Sequence, residues 1–435
     1  MIAATEGAEF QFIGEIPADW EIVRVRRITQ EHKQGYYTEQ PYVEEGVKLV
    51  RITDIDDLAN VSFENMPFVA ISSKEEQDFK VQNNDFLFAR SGTIGRFGLV
   101  KSPERSVFAS YLIRFRFKGA DSEFLRFVFS SYFFKEGLIS TLHGGANKNI
   151  HAENIKEQFI AIPPLELQVK IASFLDCKTT AIDILIAKKQ RLIQLLEEKR
   201  TALINQAVTK GLNPNTPMKD SGIPWLGEIP EHWEICSVKR LAQILRGKFS
   251  HRPRNDPKFY GGSYPFIQTG DISRAGRWIT EYSQTLNEAG YAISKEFPAG
   301  TVVMIITGAK TGEVAILGFD ACFPDSAIGF VPYRTKVTSD FLYYMFSVLK
   351  PGLDSTVIIS TQENLNVERI GSLPTVCPPL DEQQNIVHFL DVQSAQLGKI
   401  QTQIEKQLDK LLEYRQSLIT AAVTGQLNIG EEDAA

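Results

Sequence analysis

Two hydrophobic patterns alternate along this chain. Short β-branched and aromatic runs, Val47-Lys-Leu-Val-Arg-Ile52, Asp85-Phe-Leu-Phe-Ala89, Phe97-Gly-Leu-Val100, Leu112-Ile-Arg-Phe-Arg-Phe117 and Thr301-Val-Val-Met-Ile-Ile306, are broken by Gly and Pro and predict strands. Helical stretches, Ser122 to Phe134 and Ser339 to Leu349, interrupt them. Residues from about 10 to 160 and from about 222 to 375 therefore predict two strand-rich modules of α/β (α+β) class.

After each module the period changes to that of a long helix. A double proline, Pro163-Pro164 or Pro378-Pro379, suits a first helical turn, and Glu166 or Asp381 follows it close to the positive helix terminus. Heptad spacing then runs through Leu175, Ile182, Lys189, Leu196 and Leu203, and through Leu390, Leu397, Ile404, Leu411 and Leu418. A second seam position is read at Ile171, Leu185, Leu192, Ile386 and Ile400. From Glu166 to Lys210 the first helix would span roughly 45 residues, about 65 Å, longer than a helix lying on a module of this size needs to be. The two helices are expected to bury their seams against each other as an intramolecular antiparallel coiled coil, separating the modules and relating them as pseudo-twofold mates.

The whole arrangement occurs twice. Ile13-Gly-Glu-Ile-Pro-Ala-Asp-Trp20-Glu-Ile returns 213 residues later as Leu226-Gly-Glu-Ile-Pro-Glu-His-Trp233-Glu-Ile. Pro163-Pro-Leu with Phe174-Leu-Asp176 returns after 215 residues as Pro378-Pro-Leu with Phe389-Leu-Asp391, and Ala207-Val-Thr-Lys-Gly-Leu-Asn213 returns as Ala422-Val-Thr-Gly-Gln-Leu-Asn428. Between these anchors the copies diverge, although Ser91-Gly-Thr-Ile-Gly95 aligns with Thr307-Gly-Ala-Lys-Thr-Gly312. One scaffold used twice with different surface chemistry suits the discrimination of two ligands.

Composition narrows the class. At 435 residues the chain exceeds what one core usually serves, and 43% hydrophobic with 23% charged residues is globular. No apolar run is long enough to span a bilayer, and the start MIAATEGAEFQF lacks the basic and apolar regions of a signal peptide, so a cytoplasmic location with no membrane partner is expected. Four scattered cysteines without a CxxC pair argue against a zinc ribbon and suit a reducing compartment. A formal charge of −6 would repel a polyanion if it were spread evenly, but acidic residues crowd the helices and the tail Glu431-Glu-Asp433, whereas Arg246-Gly-Lys248-Phe-Ser-His251-Arg252-Pro-Arg254 is strongly basic.

Catalytic signatures are missing. Pro-Pro-Leu superficially matches an adenine methyltransferase tetrapeptide, but Ile162 and Cys377 stand where Asn or Asp is needed, and Leu stands where an aromatic should stack on a flipped base. Gly308-Ala-Lys310-Thr-Gly312 lacks phosphate-loop spacing, and the six histidines show no metal-ligand spacing. Trp20 and Trp233 are read as core residues at the start of each module, and Gly92, Gly95, Gly308 and Gly312 as turn glycines.

The GEIPxxW opening, the variable strand-rich module, the PPLxxQ start of the long helix (Pro163 to Gln168; Pro378 to Gln383) and the AVT-containing exit, all in tandem over essentially the whole chain, resemble the specificity subunits of type I restriction-modification enzymes. The resemblance implies target-recognition domains at 1–160 and 214–375, joined to spacer helices at 161–213 and 376–430. It implies a non-catalytic subunit whose domains each read half of a bipartite, asymmetric site on double-stranded DNA, with the helices setting the half-site distance. It also implies partners: two copies of a methyltransferase subunit carrying S-adenosylmethionine, and restriction/translocase subunits using ATP with Mg. No cofactor is expected in this chain.

Bases are read by Arg or Lys at guanine and by Asn or Gln at adenine, while other cations position the phosphates. The first-module candidates are loops containing His32, Lys33, Tyr36 and Tyr37, then Arg90, Ser91, Thr93 and Arg96, then Asn147, Lys148 and Asn149. In the second they are Arg246, Lys248, Ser250, His251, Arg252 and Arg254, then Thr307 and Lys310, then Ser360, Thr361 and Gln362. The alternative is a coiled-coil scaffold with two protein-binding modules and no DNA binding, which the acidic balance favours and the basic loop opposes.

Overall fold

The structure is a computed structural model, and it describes residues 16–92, 95–141, 149–249, 256–349 and 367–429. Up to the first long helix, the strands are β1 (Glu21–Arg24), β2 (Thr29–Gln34), β3 (Val47–Val50), β4 (Phe68–Val69), β5 (Phe86–Ala89), β6 (Phe97–Leu99), β7 (Ser106–Phe108), β8 (Leu112–Phe117) and β9 (Phe159–Ile162). The helices are α1 (Val25–Ile28), α2 (Ser73–Phe79), α3 (Ser122–Ser130), α4 (Tyr132–Ser140), α5 (Ala152–Lys156) and the long α6 (Leu165–Lys210). Beyond it come β10 (Met218–Asp220), β11 (Glu228–Pro230), β12 (Glu234–Ser237), β13 (Ala242–Arg246), β14 (Tyr260–Phe266), β15 (Trp278–Ile279), β16 (Gln284–Leu286), β17 (Glu296–Phe297), β18 (Val302–Ile305), β19 (Val314–Leu317), β20 (Ala321–Cys322), β21 (Ala327–Pro332) and β22 (Pro374–Cys377). They are accompanied by α7 (Thr269–Arg274), α8 (Glu288–Ala292), α9 (Ser339–Val348), α10 (Val367–Ser372) and the long α11 (Leu380–Val423).

Both modules use one plan. A mainly antiparallel sheet ordered β2-β8-β5-β6 in the first corresponds to β13-β21-β18-β19-β15 in the second. A smaller sheet, β4-β3-β7, corresponds to β16-β14-β20-β17, and in each the central strand has one antiparallel and one parallel neighbour. The strand that opens each module pairs with the one that closes it: β1 with β9, and β12 with β22. Both faces of β5 and β18 are buried, which explains their unbroken apolar runs. Phe86, Phe88, Phe97, Phe115 and Phe129, in stacked and edge-on contacts, fill the first core. The helix expected from Ser122 to Phe134 is two helices, because Ser131 ends α3 and N-caps α4 through its hydroxyl.

The repeated motifs turn out to be joints. Gln168 and Gln383, the last residues of the PPLxxQ segments, are buried, and each ties its long helix to its module. Gln168 donates to Pro163 O (2.8 Å) and accepts from Asp121 N (2.8 Å), the N-cap of α3. Gln383 donates to Pro378 O (2.9 Å) and Lys336 O (2.7 Å) and accepts from Thr338 N (3.0 Å), the N-cap of α9. The Pro and Trp of the GEIPxxW openings receive the glycine that ends a long helix. Gly425 and Gly211 have φ of +73° and +74°, a left-handed exit that favours glycine. A Cβ on Gly425 would fall 2.3 Å from Pro17, and one on Gly211 3.3 Å from Trp233.

The chain forms two compact units, one containing residues up to Gln190 and from Glu405, the other Arg191–Ile404. Each unit therefore holds one module and part of both long helices. In the first, Lys189 donates to Gln407 (2.6 Å), while Arg415 pairs with both oxygens of Asp183 (2.8 and 3.0 Å), so the helices run antiparallel. In the second, Ala207 and Val208 of α6 share a core with Ile386 and Leu390 of α11. Leu175, Ile182, Leu390, Leu397 and Ile404 are buried, and Leu196, Leu203, Leu411 and Leu418 half-buried.

The second seam position differs from the sequence reading. Leu185, Leu192 and Ile400 are 42%, 43% and 44% exposed, whereas Thr179, Ile186, Ile193, Gln401, Leu408 and Arg415 turn inward. The true second position lies four residues after the first, not four before. Several of its residues are polar, so a search for leucine and isoleucine selected the flank. Ile171 and Ile386 are buried, but against their own modules' cores.

Candidate nucleic-acid interface

In the first module several of the selected segments meet at one end of the larger sheet. Register sets Gln34 opposite Ile113 and Ala89 opposite Leu112, which levels the end of β2, the start of β8 and the end of β5. There Gly35 N donates to Leu112 O (3.0 Å), Tyr36 N to Phe108 O (2.7 Å) and Arg90 N to Tyr111 O (2.9 Å). Ile150 N donates to Arg90 O (2.7 Å), bringing Asn149 to the same edge. Tyr37 and Asn149 are exposed, while Tyr36, Arg90, Ser91 and Arg96 are half-buried. Arg96 is tied to Asp57 (2.9 Å), but the Arg90 guanidinium makes no ion pair or hydrogen bond with a described residue. Tyr111, 62% exposed in the turn before β8, stands at this edge too, and sequence reading passed over it. Its signal was an aromatic in a polar turn between two strand runs.

His32 and Lys33 do not lie in a loop, as the sequence reading had them, but within β2, opposite Phe115 and Arg114. Their alternation belongs to a strand whose apolar partners come from β8 and α2. The His32 ring stacks on Phe115 at 5.6 Å, and Lys33 sits 4.5 Å over the Phe79 ring and 3.7 Å from Asp78.

The second module repeats the geometry with different residues. Arg246 faces Ile328 and Ile305 faces Ala327, so β13 and β18 end level with the start of β21. Gly247 N donates to Ala327 O, Lys248 N to Phe323 O and Ile306 N to Ser326 O, each at 3.0 Å. Arg246, Lys248, Thr307 and Lys310 are thereby gathered at one sheet end, with Lys248 and Lys310 exposed and without ion pairs to described residues. Arg246 Nε donates to Asp325 O (2.7 Å). In both modules the turn between the paired strands, β5–β6 or β18–β19, carries two positive-φ glycines, Gly92 and Gly95 or Gly308 and Gly312. Thr93, Asn147, Lys148, Ser250, His251, Arg252, Arg254, Ser360, Thr361 and Gln362 lie outside the described residues.

Other sheet arginines are neutralised internally. Arg116 pairs with the buried Asp85 (2.7 Å), and Arg114 with Glu31. Burial drives the Asp85 carboxyl up in spite of Arg116. Burial also works to raise Glu31, but Arg114 and Arg116 together hold its carboxyl below the usual range. At the sheet ends Arg90, Lys248 and Lys310 form no ion pair with a described residue and remain available to a polyanion in spite of the net charge of −6. Among the described residues no group of three or more His, Cys, Asp or Glu could hold a metal ion, and no helix is long and apolar enough to cross a membrane.

Comparison with known proteins gives the family. The family described as type I restriction modification DNA specificity domain matches residues 17–195 and 230–414. Similar curated proteins include the type I restriction enzyme MjaVIII specificity subunit of Methanocaldococcus jannaschii, 24% identical over 95% of this chain and 94% of its own length. The EcoKI specificity subunit of Escherichia coli is 22% identical over 95% and 90%. Among solved structures, a chain from a type I R-M system complex superposes with a TM-score of 0.76 at 17% identity, covering 95% of this chain and 100% of that one. The HsdS subunit of Thermoanaerobacter tengcongensis gives 0.53 at 17% identity, covering 95% and 98%. With the matched domains covering both copies of the repeat, the chain belongs to the type I restriction-modification DNA specificity family and is a non-catalytic specificity subunit.

Proposed function

We propose that the two modules, 1–160 and 214–375, each read one half of a bipartite, asymmetric site on double-stranded DNA, and that the helices at 161–213 and 376–430 set the half-site spacing. The observation that carries this reading is that one sheet end recurs in both modules with different side chains. Tyr37, Arg90 and Asn149 occupy it in the first, and Arg246, Lys248 and Lys310 in the second. A common backbone frame with altered donors suits two unrelated recognition words. A rigid spacer fixes half-site separation as dimer geometry does in simpler DNA-binding proteins.

The same reading assigns partners. Ile184 and Leu185 on α6 and Leu412 and Tyr414 on α11 are exposed apolar residues, which supports docking of a separate subunit on the helices. That subunit would be a methyltransferase, present in two copies and bringing S-adenosylmethionine for adenine methylation. Restriction/translocase subunits would bring ATP with Mg, and this chain would hold no cofactor. A cytoplasmic location goes with these partners.

The test is co-expression of this chain with the methyltransferase encoded beside it, followed by mapping of adenine methylation across host DNA, with methyltransferase alone as control. A bipartite motif that depends on this chain, and loses one half when Arg246 and Lys248 are changed to Ala, is the expected result. A complex that forms but yields no chain-dependent motif would overturn the reading in favour of a protein-binding scaffold.

A further inference from the structure

The second copy holds a thiol pair that the first lacks. In the β12–β22 ladder Glu234 faces Cys377 and Cys236 faces Thr375, so the two cysteines are diagonal neighbours on one face of the ladder. The matching register in the first copy sets Glu21 opposite Ile162 and Val23 opposite Ile160, which puts Val23 and Ile162 where the cysteines stand. The scaffold itself therefore needs only aliphatic side chains at these places.

Both cysteines line a cavity of about 340 Å³ that is also lined by His232, Glu234, Arg240 and Lys336. That volume falls in the roughly 300–1,000 Å³ range of small-molecule sites. Pro378, Pro379 and Leu380, which lead into α11, complete the lining. The Cys377 sulfur lies 3.8 Å from the Lys336 carbonyl oxygen. Lys336 and Arg240 are exposed cations at the rim, Glu234 is an opposing anion, and His232 is engaged with Glu382 at 2.6 Å. The neighbouring Cys236 thiol draws the Cys377 thiol down to about 7, against burial and Glu234 and with help from Lys336, and Cys377 together with burial pushes the Cys236 thiol up. The Cys377 thiol is thus the more readily ionised of the two.

We propose that Cys377, with Cys236 beside it in the ladder, is a modification site for acidic low-molecular-weight disulfides of the glutathione class. The Cys377 thiolate attacks one sulfur of the incoming disulfide. A new sulfur–sulfur bond to Cys377 forms, the original one breaks, and the other half departs as a thiolate, so Cys377 is oxidised as that half is reduced. Lys336 and Arg240 face the carboxylates of the adduct, and excess thiol reverses the exchange. The adduct would occupy the cavity beside the start of α11.

The full chain is incubated with oxidised glutathione at neutral pH, and adducts are located by peptide mass mapping. Cys377 should react about tenfold or more ahead of Cys177, the exposed cysteine on α6. Cys236→Val, which installs the first copy's residue, should slow the reaction several-fold and raise the pH midpoint of Cys377 alkylation by iodoacetamide above that of the wild-type chain measured alongside. Cys377→Ile should abolish the adduct and leave the unfolding midpoint unchanged. Lys336→Glu should slow oxidised glutathione more than the cationic disulfide cystamine. Labelling of Cys177 first, or an alkylation midpoint unmoved by Cys236→Val, would overturn the proposal.

Discussion

The Arg277 guanidinium engages both carboxylate oxygens of Asp391, at 2.5 and 3.1 Å. Tyr344 donates its hydroxyl to the same carboxylate (2.6 Å), and burial together with this bond pushes the tyrosine's ionisation well up. Asp391 closes the Phe-Leu-Asp motif on α11. Its repeat mate Asp176 receives Arg126 of α3 at 3.0 Å. The acid is kept on both helices while the arginine comes from a different element of each module.

Asp391→Ala should therefore lower the stability of the second unit by about 1–2 kcal/mol, less than a fully buried pair would cost, because both partners are partly exposed. Denaturant unfolding followed by fluorescence would measure it. Asp176→Ala, which removes a single recorded contact, should cost less.

Replacing Gln168 or Gln383 with Leu leaves buried carbonyl and amide groups without partners. Each change should cost about 2–4 kcal/mol, summed over the groups orphaned. Hydrogen exchange should show loss of protection at the start of the affected long helix. Unchanged protection at Asp121 and at Thr338 would remove the joint's assigned role.

The position of the seam predicts a contrast between two isoleucines one turn apart on α11. Ile404→Ala should cost about 2–4 kcal/mol as a buried truncation, and Ile400→Ala under about 0.5 kcal/mol. Equal costs would restore the other heptad phase.

Arg90→Ala and Lys310→Ala probe the sheet ends. If Arg90 reads a base, its loss should weaken binding by about 1–3 kcal/mol and relax one position of one half-site. Loss of a phosphate contact by Lys310 should weaken all sequences alike and flatten the salt dependence of binding by about one unit. Fluorescence anisotropy over a salt series, with matched and single-mismatch duplexes, separates the two.

Acid should weaken the first unit through Glu31. Its folded carboxyl is held low by Arg114 and Arg116, so its stabilisation is complete above the unfolded value of about 4.3 and is lost as pH falls through the folded value. Asp85, whose carboxyl is raised, acts in the opposite sense: its ionisation penalty at neutral pH is relieved by acid. Glu31→Gln should thus cost stability at pH 7 and progressively less below pH 4, read from unfolding midpoints across that range.

Much of this architecture was legible because it is written twice. Repetition exposed the two long helices and the motif residues, and the apolar runs of β5 and β18 announced buried strands. The purpose of Gln168 was not legible, since a glutamine's worth depends on carbonyl and amide groups brought near it only by folding. The seam's second position hid behind Thr179 and Arg415, polar residues that periodicity discounts. At the candidate interface, chemistry picked Arg90 and Lys310, but whether a residue lies within a strand, as His32 does, or at its end depends on register.

Pro17 and Trp20 lie against Gly425 in the same way that Pro230 and Trp233 lie against Gly211. The beginning and the end of the described chain thus meet across a joint that the covalent chain already makes once, at residues 211–233. One of these joints is covalently continuous and the other is not, so the chain could be opened at either. A circular permutant, closed by a short linker from residue 429 to residue 16 and reopened in the exposed turn at Pro214-Asn215, should keep both compact units with their contents unchanged.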